Sequence, residues 1–325
     1  MIQFSTSNIR IWSLLGQSGT LGHALLEIAK EKGRIMAITS DLGKIAGLER
    51  FGKAYPERLV NTGIAEQNML GISAAFATED FIPFAISFAT FSVLRACEPV
   101  RHFMGSMQRN VKLVGLGSGF AMGIFGNTHY CLEDLAIIRA IPGILILSPA
   151  DCTELVKVVL AAVEYDGPVY LRLTGVMNNP VVYHEDYDFQ PGKAITLVQG
   201  ADLAIIATGS MVAHALQASG ILEKQGISAT VIDMHTIKPL DTETIGREIK
   251  TAKLVVSVEE HSVTGGLGGA IAEYLGPLDD PPPLLRLGIE DKFKPAGDYR
   301  YMLEQHELLP EQVAYNIRKK YLSLK

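Results

Sequence analysis

Strand-like and helix-like segments alternate from one end of the chain to the other, and this alternation limits the available folds more than any other feature. Short apolar runs, such as residues 34–40 and 169–173, are typical of strands that are buried on both faces. The segments between these runs have the spacing of helices. Since parallel strands need long crossover connections, the pattern predicts parallel sheets with helices on both faces, which is an α/β fold.

The alternation stops once, at residues 174–193, where the sequence reads TGVMNNPVVYHEDYDFQPGK. Prolines, asparagines and acidic residues without a sustained period are typical of a connecting segment. A second alternation follows, and a chain of 325 residues is long enough for two domains. We therefore predict two doubly wound domains, residues 1–180 with a parallel sheet and residues 195–325 with a mostly parallel sheet, joined by a linker at 181–194.

Charge and composition narrow the function classes. The chain has 29 basic and 35 acidic residues, a net charge of −6, and no basic stripe with interleaved aromatic residues, so we expect no nucleic-acid partner. No apolar run has the length of a membrane span, and the N-terminal segment MIQFSTSNIR lacks the apolar core of a signal peptide. Three cysteines without metal-ligand spacing indicate a reducing compartment and no metal site of the chain's own. We expect a cytoplasmic enzyme that acts on small molecules.

Two glycine-rich loops, residues 115–123 and 265–273, invite comparison with nucleotide-binding loops. Neither loop has the glycine spacing of the dinucleotide fingerprint, and the chain contains no GxxxxGK[ST] phosphate-binding loop. Glycines that allow tight turns and close helix packing explain both loops better.

The segment GIAEQN, residues 63–68, places a carboxylate, Glu66, between two apolar runs. It resembles the (G/S)xAEQ motif of transketolase-like thiamine diphosphate enzymes, in which the glutamate opens a helix at the cofactor. The resemblance extends over nearly the whole chain, through PFAISFATF, GNTHYCLEDLAIIRAIPGI, SPADCTEL and DGPVYLRL in the first predicted domain, and IATGS and VEEHSVTGGLGGAIAE in the second. It implies a pyrimidine-binding domain followed by a transketolase C-terminal domain, with thiamine diphosphate as the cofactor.

The resemblance assigns roles to four residues at the cofactor. A carboxylate that bonds N1′ of the aminopyrimidine favours the tautomer that can accept the C2 proton, which implies that Glu66 is both cofactor-binding and catalytic. Phe88 and Phe91, in FATF, match aromatic positions that hold the pyrimidine ring, and Leu42, in SDLG, aligns with a residue near the cofactor. The plainer alternatives are a helix-start glutamate favoured by the macrodipole and ordinary core aromatics.

Residues 123–130, GIFGNTHY, stand where the family reads GEDGPTHQ. His129 matches a histidine that reaches into the substrate channel, which implies a catalytic role. Phe125 replaces an acid that recognises a sugar hydroxyl, and Tyr130 replaces a glutamine. Phe125, Asn127, His129 and Tyr130 are therefore predicted to line the substrate channel.

Two family positions that help to bind the sugar phosphate fall on Gly117 and Gly175 in this chain. A phosphate needs charge-assisted donors, which glycine cannot supply. The loss implies an acceptor without phosphate or without the usual hydroxyl beside its aldehyde. A partner chain, or a nearby residue such as Arg172, could instead supply the missing charge.

The chain contains no Gly-Asp-Gly followed by the asparagine that completes the diphosphate and Mg²⁺ site of this family. The resemblance is therefore to the C-terminal subunit of a split transketolase, active only with an N-terminal subunit that carries that motif, in an α2β2 heterotetramer. Its substrates would be a ketose donor and an aldehyde acceptor. Two alternatives stay open: the β subunit of the decarboxylating component of a 2-oxo acid dehydrogenase, and a non-catalytic regulatory partner. His261, in VEEHS, is predicted to be a surface or interface histidine.

Overall fold

Two open sheets form the centre of the structure, a computed structural model that describes residues 2–324. The strands of the first sheet are β1 (Ile35–Thr39), β2 (Leu59–Asn61), β3 (Ile82–Phe88), β4 (Lys112–Ser118), β5 (Leu145–Leu147), β6 (Val169–Thr174) and, from later in the chain, β10 (Thr236–Lys238). The strands of the second sheet are β7 (Ile195–Val198), β8 (Leu203–Ala207), β9 (Ala229–Asp233), β11 (Val255–Ser262) and β12 (Leu284–Ile289).

Across the described residues, the first sheet has the order β10-β5-β6-β4-β3-β1-β2 and the second has the order β12-β11-β8-β9-β7. Neighbouring strands are parallel except in two pairs, β10 with β5 and β7 with β9. The central strands β1, β4 and β6 are buried along their whole length, which is why they read as continuous apolar runs. The predicted α/β fold with two mostly parallel sheets is confirmed.

Strand β10 was not predicted from the sequence, because three residues are too few to show a period. It belongs to the second half of the chain, yet it pairs antiparallel with β5, with Thr236 opposite Leu147. The first sheet is therefore not purely parallel, and its edge is completed by the second half of the chain. The ranges 1–180, 181–194 and 195–325 remain predictions.

Helices cover the faces of both sheets. They are α1 (Thr6–Ala29), α2 (Glu49–Ala54), α3 (Glu66–Thr78), α4 (Cys97–Pro99), α5 (Asp134–Ala140), α6 (Cys152–Glu164), α7 (Met211–Glu223), α8 (Thr242–Glu248), α9 (Leu267–Leu275), α10 (Tyr299–Gln305) and α11 (Pro310–Leu322). Two π-helical turns, Thr90–Arg95 and Val100–Ser106, flank α4, and a 3-10 segment covers Gly123–Thr128. Among residues 2–324, no helix is both long enough and apolar enough to cross a membrane.

A buried ion pair lies where the two halves of the chain meet. Arg172, on β6, donates from Nε to Asp134 Oδ2 at 2.8 Å and from Nη2 to Oδ1 at 3.2 Å, and both side chains are fully buried. The same guanidinium donates from Nη2 to the backbone oxygen of Glu260 in β11 at 2.9 Å. Burial alone would raise the pKa of the Asp134 carboxyl, but Arg172 holds it below the usual value. Arg172 is therefore committed to Asp134, and the expectation that it could bind a substrate phosphate is wrong.

His261 is buried against the same ion pair. Its Nδ1 lies 2.8 Å from the backbone oxygen of Ser262, and its Nε2 accepts a hydrogen bond from the amide of Ala136 at 3.4 Å. This pattern requires one protonated and one bare ring nitrogen, and burial lowers the pKa of His261 to about 4, so the ring is neutral. His261 is fully buried within this chain, so the prediction of a surface or interface histidine is wrong, and its contact with Ala136 joins the two halves of the chain.

The ion pair gives a stability prediction. Asp134→Ala should lower the free energy of unfolding by about 3–5 kcal/mol, because it leaves the Arg172 cation buried without its partner. Urea unfolding followed by circular dichroism measures the change. The control is Glu243→Ala, which removes an exposed pair with Lys193 and should have a much smaller effect. Equal effects of the two substitutions would contradict a special role for the buried pair.

Candidate active site

Glu66 is the first residue of α3 and lies at the carboxyl end of the first sheet. The chain leaves β2 through a tight turn, in which Asn61 Oδ1 accepts from the amide of Gly63 at 3.0 Å and Gly63 has a φ of +70°, a value that favours glycine. The turn brings Glu66 into the interior, where only 1% of its side chain is exposed. The positive end of the helix dipole favours a carboxylate at this position.

Two donors hold the carboxylate of Glu66. Arg95 donates from Nη1 to Oε2 at 2.7 Å, and Ser87, on β3, donates from its hydroxyl to Oε1 at 3.3 Å. Sequence reasoning missed both residues. The clue for Ser87 was its place beside Phe88 at the end of a buried strand, and the clue for Arg95 was its place four residues after Phe91.

Aromatic side chains gather near the start of α3, where Glu66 lies. The ring centroids of Phe88 and Phe91 are 6.1 Å apart, and His129 lies 6.4 Å from Phe88 and 5.6 Å from Phe91. All three pairs meet edge to face, the geometry that aromatic quadrupoles prefer. Phe88 is buried and Phe91 is half-buried, so part of the Phe91 ring remains accessible. The structure therefore brings together residues that are far apart in the sequence.

The 3-10 segment Gly123–Thr128 directly precedes His129 and positions it at this cluster. Thr128 Oγ1 lies 2.9 Å from His129 Nδ1, and the ring of Phe125 lies 5.3 Å from the imidazole, centroid to centroid. Phe125 is 57% exposed and Asn127 is also exposed. Together with the half-buried His129, they form an outer wall that begins at the aromatic cluster.

Two predicted site residues lie apart from the wall. Tyr130 is 2% exposed, and its ring packs against Phe120 and Phe293 at 5.4 and 6.3 Å between centroids. Burial raises the pKa of the Tyr130 hydroxyl, which has no hydrogen-bond partner within the described part of the chain. Leu42 is half-buried against the core cluster that includes Phe88. The buried Tyr130 therefore does not lie beside His129 in the wall.

The two glycines at the family's phosphate positions are constrained by their surroundings. Gly117 has a φ of +62°, and a Cβ there would lie 2.9 Å from Met122 Cγ. Gly175 has a φ of +77°, and a Cβ there would lie 2.5 Å from Asn179 Nδ2. Side chains from elsewhere thus fill the space in which a longer residue would begin, and both backbone conformations favour glycine.

Comparisons with known proteins match both halves of the chain to one family of enzymes. Residues 18–176 match the transketolase pyrimidine-binding domain, and residues 192–313 match the transketolase C-terminal domain. The chain is 39% identical to the 6-deoxy-6-sulfo-D-fructose transketolase subunit SqwH of Clostridium sp., over 89% of each chain. It is 40% identical to an apulose-4-phosphate transketolase subunit of Phocaeicola vulgatus, over 82% of this chain and 85% of that relative. A solved split gene transketolase, described as an inactive β4 tetramer, superposes with a TM-score of 0.83 at 38% identity, covering 94% of this chain and 97% of that one.

The fold, the site and these matches define a two-domain chain of transketolase type. The chain belongs to the transketolase family, and it corresponds to the C-terminal subunit of a split transketolase. The relatives are named as transketolase subunits, which favours this interpretation over the β subunit of a 2-oxo acid dehydrogenase component.

The constraint on Gly117 gives a testable prediction. Gly117→Ala should lower the free energy of unfolding by about 1–2 kcal/mol, because an alanine is disfavoured at this left-handed φ. The matched control is Gly220→Ala in α7, where a Cβ meets nothing within 4 Å and the better helix propensity should stabilise the chain by up to about 1 kcal/mol. Urea unfolding of both variants should show opposite signs. A shift in the same direction for both would contradict the constraint.

Proposed function

We propose that this chain is the catalytic C-terminal subunit of a transketolase-type enzyme, which transfers a two-carbon ketol unit from a ketose donor to an aldehyde acceptor. The observation that carries the proposal is the buried carboxylate of Glu66 at the start of α3, beside the accessible part of the Phe91 ring and within reach of the loop that carries His129. Membership of the transketolase family supports it. A non-catalytic regulatory subunit would have no need to keep this carboxylate and the aromatic cluster together.

The groups around Glu66 suit the aminopyrimidine of thiamine diphosphate. Glu66 offers a buried acceptor for a ring nitrogen, Phe91 offers an aromatic face, and Phe88 and Leu42 belong to the apolar core beside them. When bound, thiamine diphosphate would supply the nucleophilic carbon that breaks and forms a carbon–carbon bond beside a carbonyl. Glu66 would hold the N1′ proton, which makes it the relay residue.

The wall of Phe125, Asn127 and His129 would line the substrate channel. The imidazole of His129 can donate or accept a hydrogen bond, and Thr128 fixes its orientation through Nδ1. We assign His129 to the oxygen atoms of the donor substrate. Phe125 makes the wall less polar than an acid would.

The diphosphate and Mg²⁺ ligands would lie on a separate N-terminal subunit with a Gly-Asp-Gly and asparagine motif, in an α2β2 assembly in the cytoplasm. Exposed apolar side chains support a second chain at this surface. Ile64 lies two residues before Glu66, Leu94 lies three residues after Phe91, and Phe125 contacts His129, and each of the three is at least 43% exposed. The similar split transketolase that forms a β4 tetramer is described as inactive, in agreement with a need for the other subunit.

The substrate would bind without the phosphate contacts that are usual in the family. Gly117 and Gly175 offer no cation, and Arg172 is bound to Asp134. Desolvating a phosphate dianion without directed donors is costly, so the channel favours an acceptor without phosphate or without the usual hydroxyl beside its aldehyde. The relative from Clostridium is named for a sulfo-sugar, which shows that substrates vary among similar subunits.

The first functional prediction concerns the isolated subunit. The purified chain should show no ketol transfer and only weak binding of thiamine diphosphate, because the ligands for the diphosphate lie elsewhere. Co-expression with the N-terminal subunit should restore both, as measured by transfer assays and calorimetry. Magnesium-dependent turnover by this chain alone would refute the split arrangement.

The second functional prediction concerns the relay. Glu66→Gln in the two-subunit complex should slow hydrogen exchange at the cofactor C2 by about 10²- to 10⁴-fold, because the amide cannot hold the N1′ proton. Glu79→Gln, at the far exposed end of the same helix, is the control and should exchange at the wild-type rate. If Glu66→Gln also exchanges at that rate, Glu66 is not the relay.

The third functional prediction concerns the substrate. The complex should show no large preference for phosphorylated acceptors when kcat/KM is compared for phosphorylated and unphosphorylated aldehydes of equal carbon length. A preference of about a hundredfold or more for the phosphorylated compounds corresponds to about 2.7 kcal/mol of transition-state binding. That result would show that other residues, on this chain or its partner, recognise phosphate.

A further inference from the structure

The guanidinium of Arg95 contacts two groups at once, and the proposed function assigns both of them to the cofactor. Arg95 Nη1 lies 2.7 Å from Glu66 Oε2, and Arg95 Cζ lies 4.3 Å from the centroid of the Phe91 ring. The first contact is a charge-assisted hydrogen bond and the second is a cation–π contact. The flat cation therefore occupies the corner between carboxylate and ring into which an aminopyrimidine would have to fit.

Both oxygens of the Glu66 carboxylate are engaged in this arrangement. Oε2 is taken by Arg95, while Oε1 accepts from the hydroxyl of Ser87 at 3.3 Å. A ring nitrogen that approached Oε2 with its ring stacked on the covered face of Phe91 would overlap the guanidinium. Binding of the pyrimidine in that position requires Arg95 to leave.

The backbone places Arg95 here through a π-helical turn. In the segment Thr90–Arg95 the amide of Ala96 bonds the carbonyl of Phe91 at 3.3 Å, a five-residue spacing that widens the turn. Gln67 Nε2 donates to the carbonyl of Arg95 at 3.3 Å and so ties this turn to α3. The Cα of Arg95 is held in place, whereas its side chain reaches over Phe91 from outside.

The two partners differ in their freedom to move. The Arg95 side chain is 44% exposed and that of Glu66 is 1% exposed. Arg95 can turn into water at little cost, because a guanidinium is well solvated there. Glu66 cannot follow, and a buried carboxylate without a donor is costly.

We propose that Arg95 is a positioning residue that occupies the pyrimidine site of the cofactor-free subunit, holds the Glu66 carboxylate there by a charge-assisted hydrogen bond, and swings away from Glu66 when the cofactor binds. The inference rests on the proposed function, since it takes Glu66 as the partner of the pyrimidine. The cofactor therefore has to displace an internal ligand, and part of its binding free energy goes into breaking the ion pair.

The test is the dissociation constant of thiamine diphosphate, measured by calorimetry on the two-subunit complex. Arg95→Met, which keeps the aliphatic stem but removes the competing charge, should bind the cofactor about tenfold more tightly, a change of about 1.4 kcal/mol. Arg95→Lys keeps the charge without the planar fork and should lie between the two. Arg318→Met, on the exposed face of α11, is the control and should match the wild type.

A second measurement separates competition from a general structural effect. At saturating cofactor, hydrogen exchange at C2 should be far faster in Arg95→Met than in Glu66→Gln, because Arg95→Met leaves the relay carboxylate in place. Unchanged or weaker cofactor binding by Arg95→Met, beside normal binding by the wild-type complex, would overturn this inference and leave the proposed function intact. Failure of the wild-type complex to bind the cofactor would refute the proposed function itself.

The isolated chain provides a test that needs neither cofactor nor partner. Arg95→Met should lower the melting temperature, since it strands Glu66, and adding Glu66→Gln to the same chain should recover most of the loss. The two substitutions are in contact, so their effects should not be additive. Additive effects would show that the ion pair does not form, and would overturn the inference even if Arg95→Met proved too unstable for the complex.

Discussion

The buried guanidinium of Arg172 bonds both halves of the chain, and the junction between them depends on it, since it pairs with Asp134 in the first half and bonds the backbone of Glu260 in the second. A charge inside a protein must be paired and hydrogen-bonded, so the pair cannot shift without a large cost. Arg172 belongs to a central strand of the first sheet, and its guanidinium also bonds the backbone of Glu260 in the second sheet. The neutral His261, on the strand next to Glu260, adds a second link, since its Nε2 accepts from the amide of Ala136 in the first half.

This junction also sets the position of the candidate site. The carboxylate of Glu260 accepts from the amide of Phe120 and from the hydroxyls of Ser210 and Tyr299, the last two at 2.6 and 2.7 Å. Phe120 follows the strand that leads into the loop carrying His129, and Tyr299 begins the helix that packs on that loop. The second half of the chain therefore supports the substrate loop, although most of the predicted site residues come from the first half.

The fold class could be predicted from the sequence, and so could the proximity of Phe88, Phe91 and His129, for identifiable reasons. Continuous apolar runs such as residues 34–40 are typical of strands that are buried on both faces. The site motifs have a spacing that few other folds share, and they contain Glu66, Phe88, Phe91 and His129. The roles of Ser87 and Arg95 could not be predicted, because neither residue belongs to a distinctive sequence motif. Their roles depend on which atoms they contact in the folded chain. Strand β10 could not be predicted because its three residues pair with a strand about 90 residues earlier in the chain, a contact that no local period can report. Arg172 was misjudged for a similar reason, since its partner Asp134 becomes visible only when the sheets are assembled.

A single requirement links the stability of this subunit to its chemistry: the carboxylate of Glu66 must never be left without a donor. In this structure, Arg95 and Ser87 meet this need. On the proposed function, the ring nitrogen of the pyrimidine takes over from Arg95, and the energy gained is the difference between the two donors rather than the full strength of either. Such a site favours a cofactor that arrives with other contacts already made. The diphosphate, held by the partner subunit, would supply those contacts. The complete active site would therefore form only when both chains and the cofactor are present.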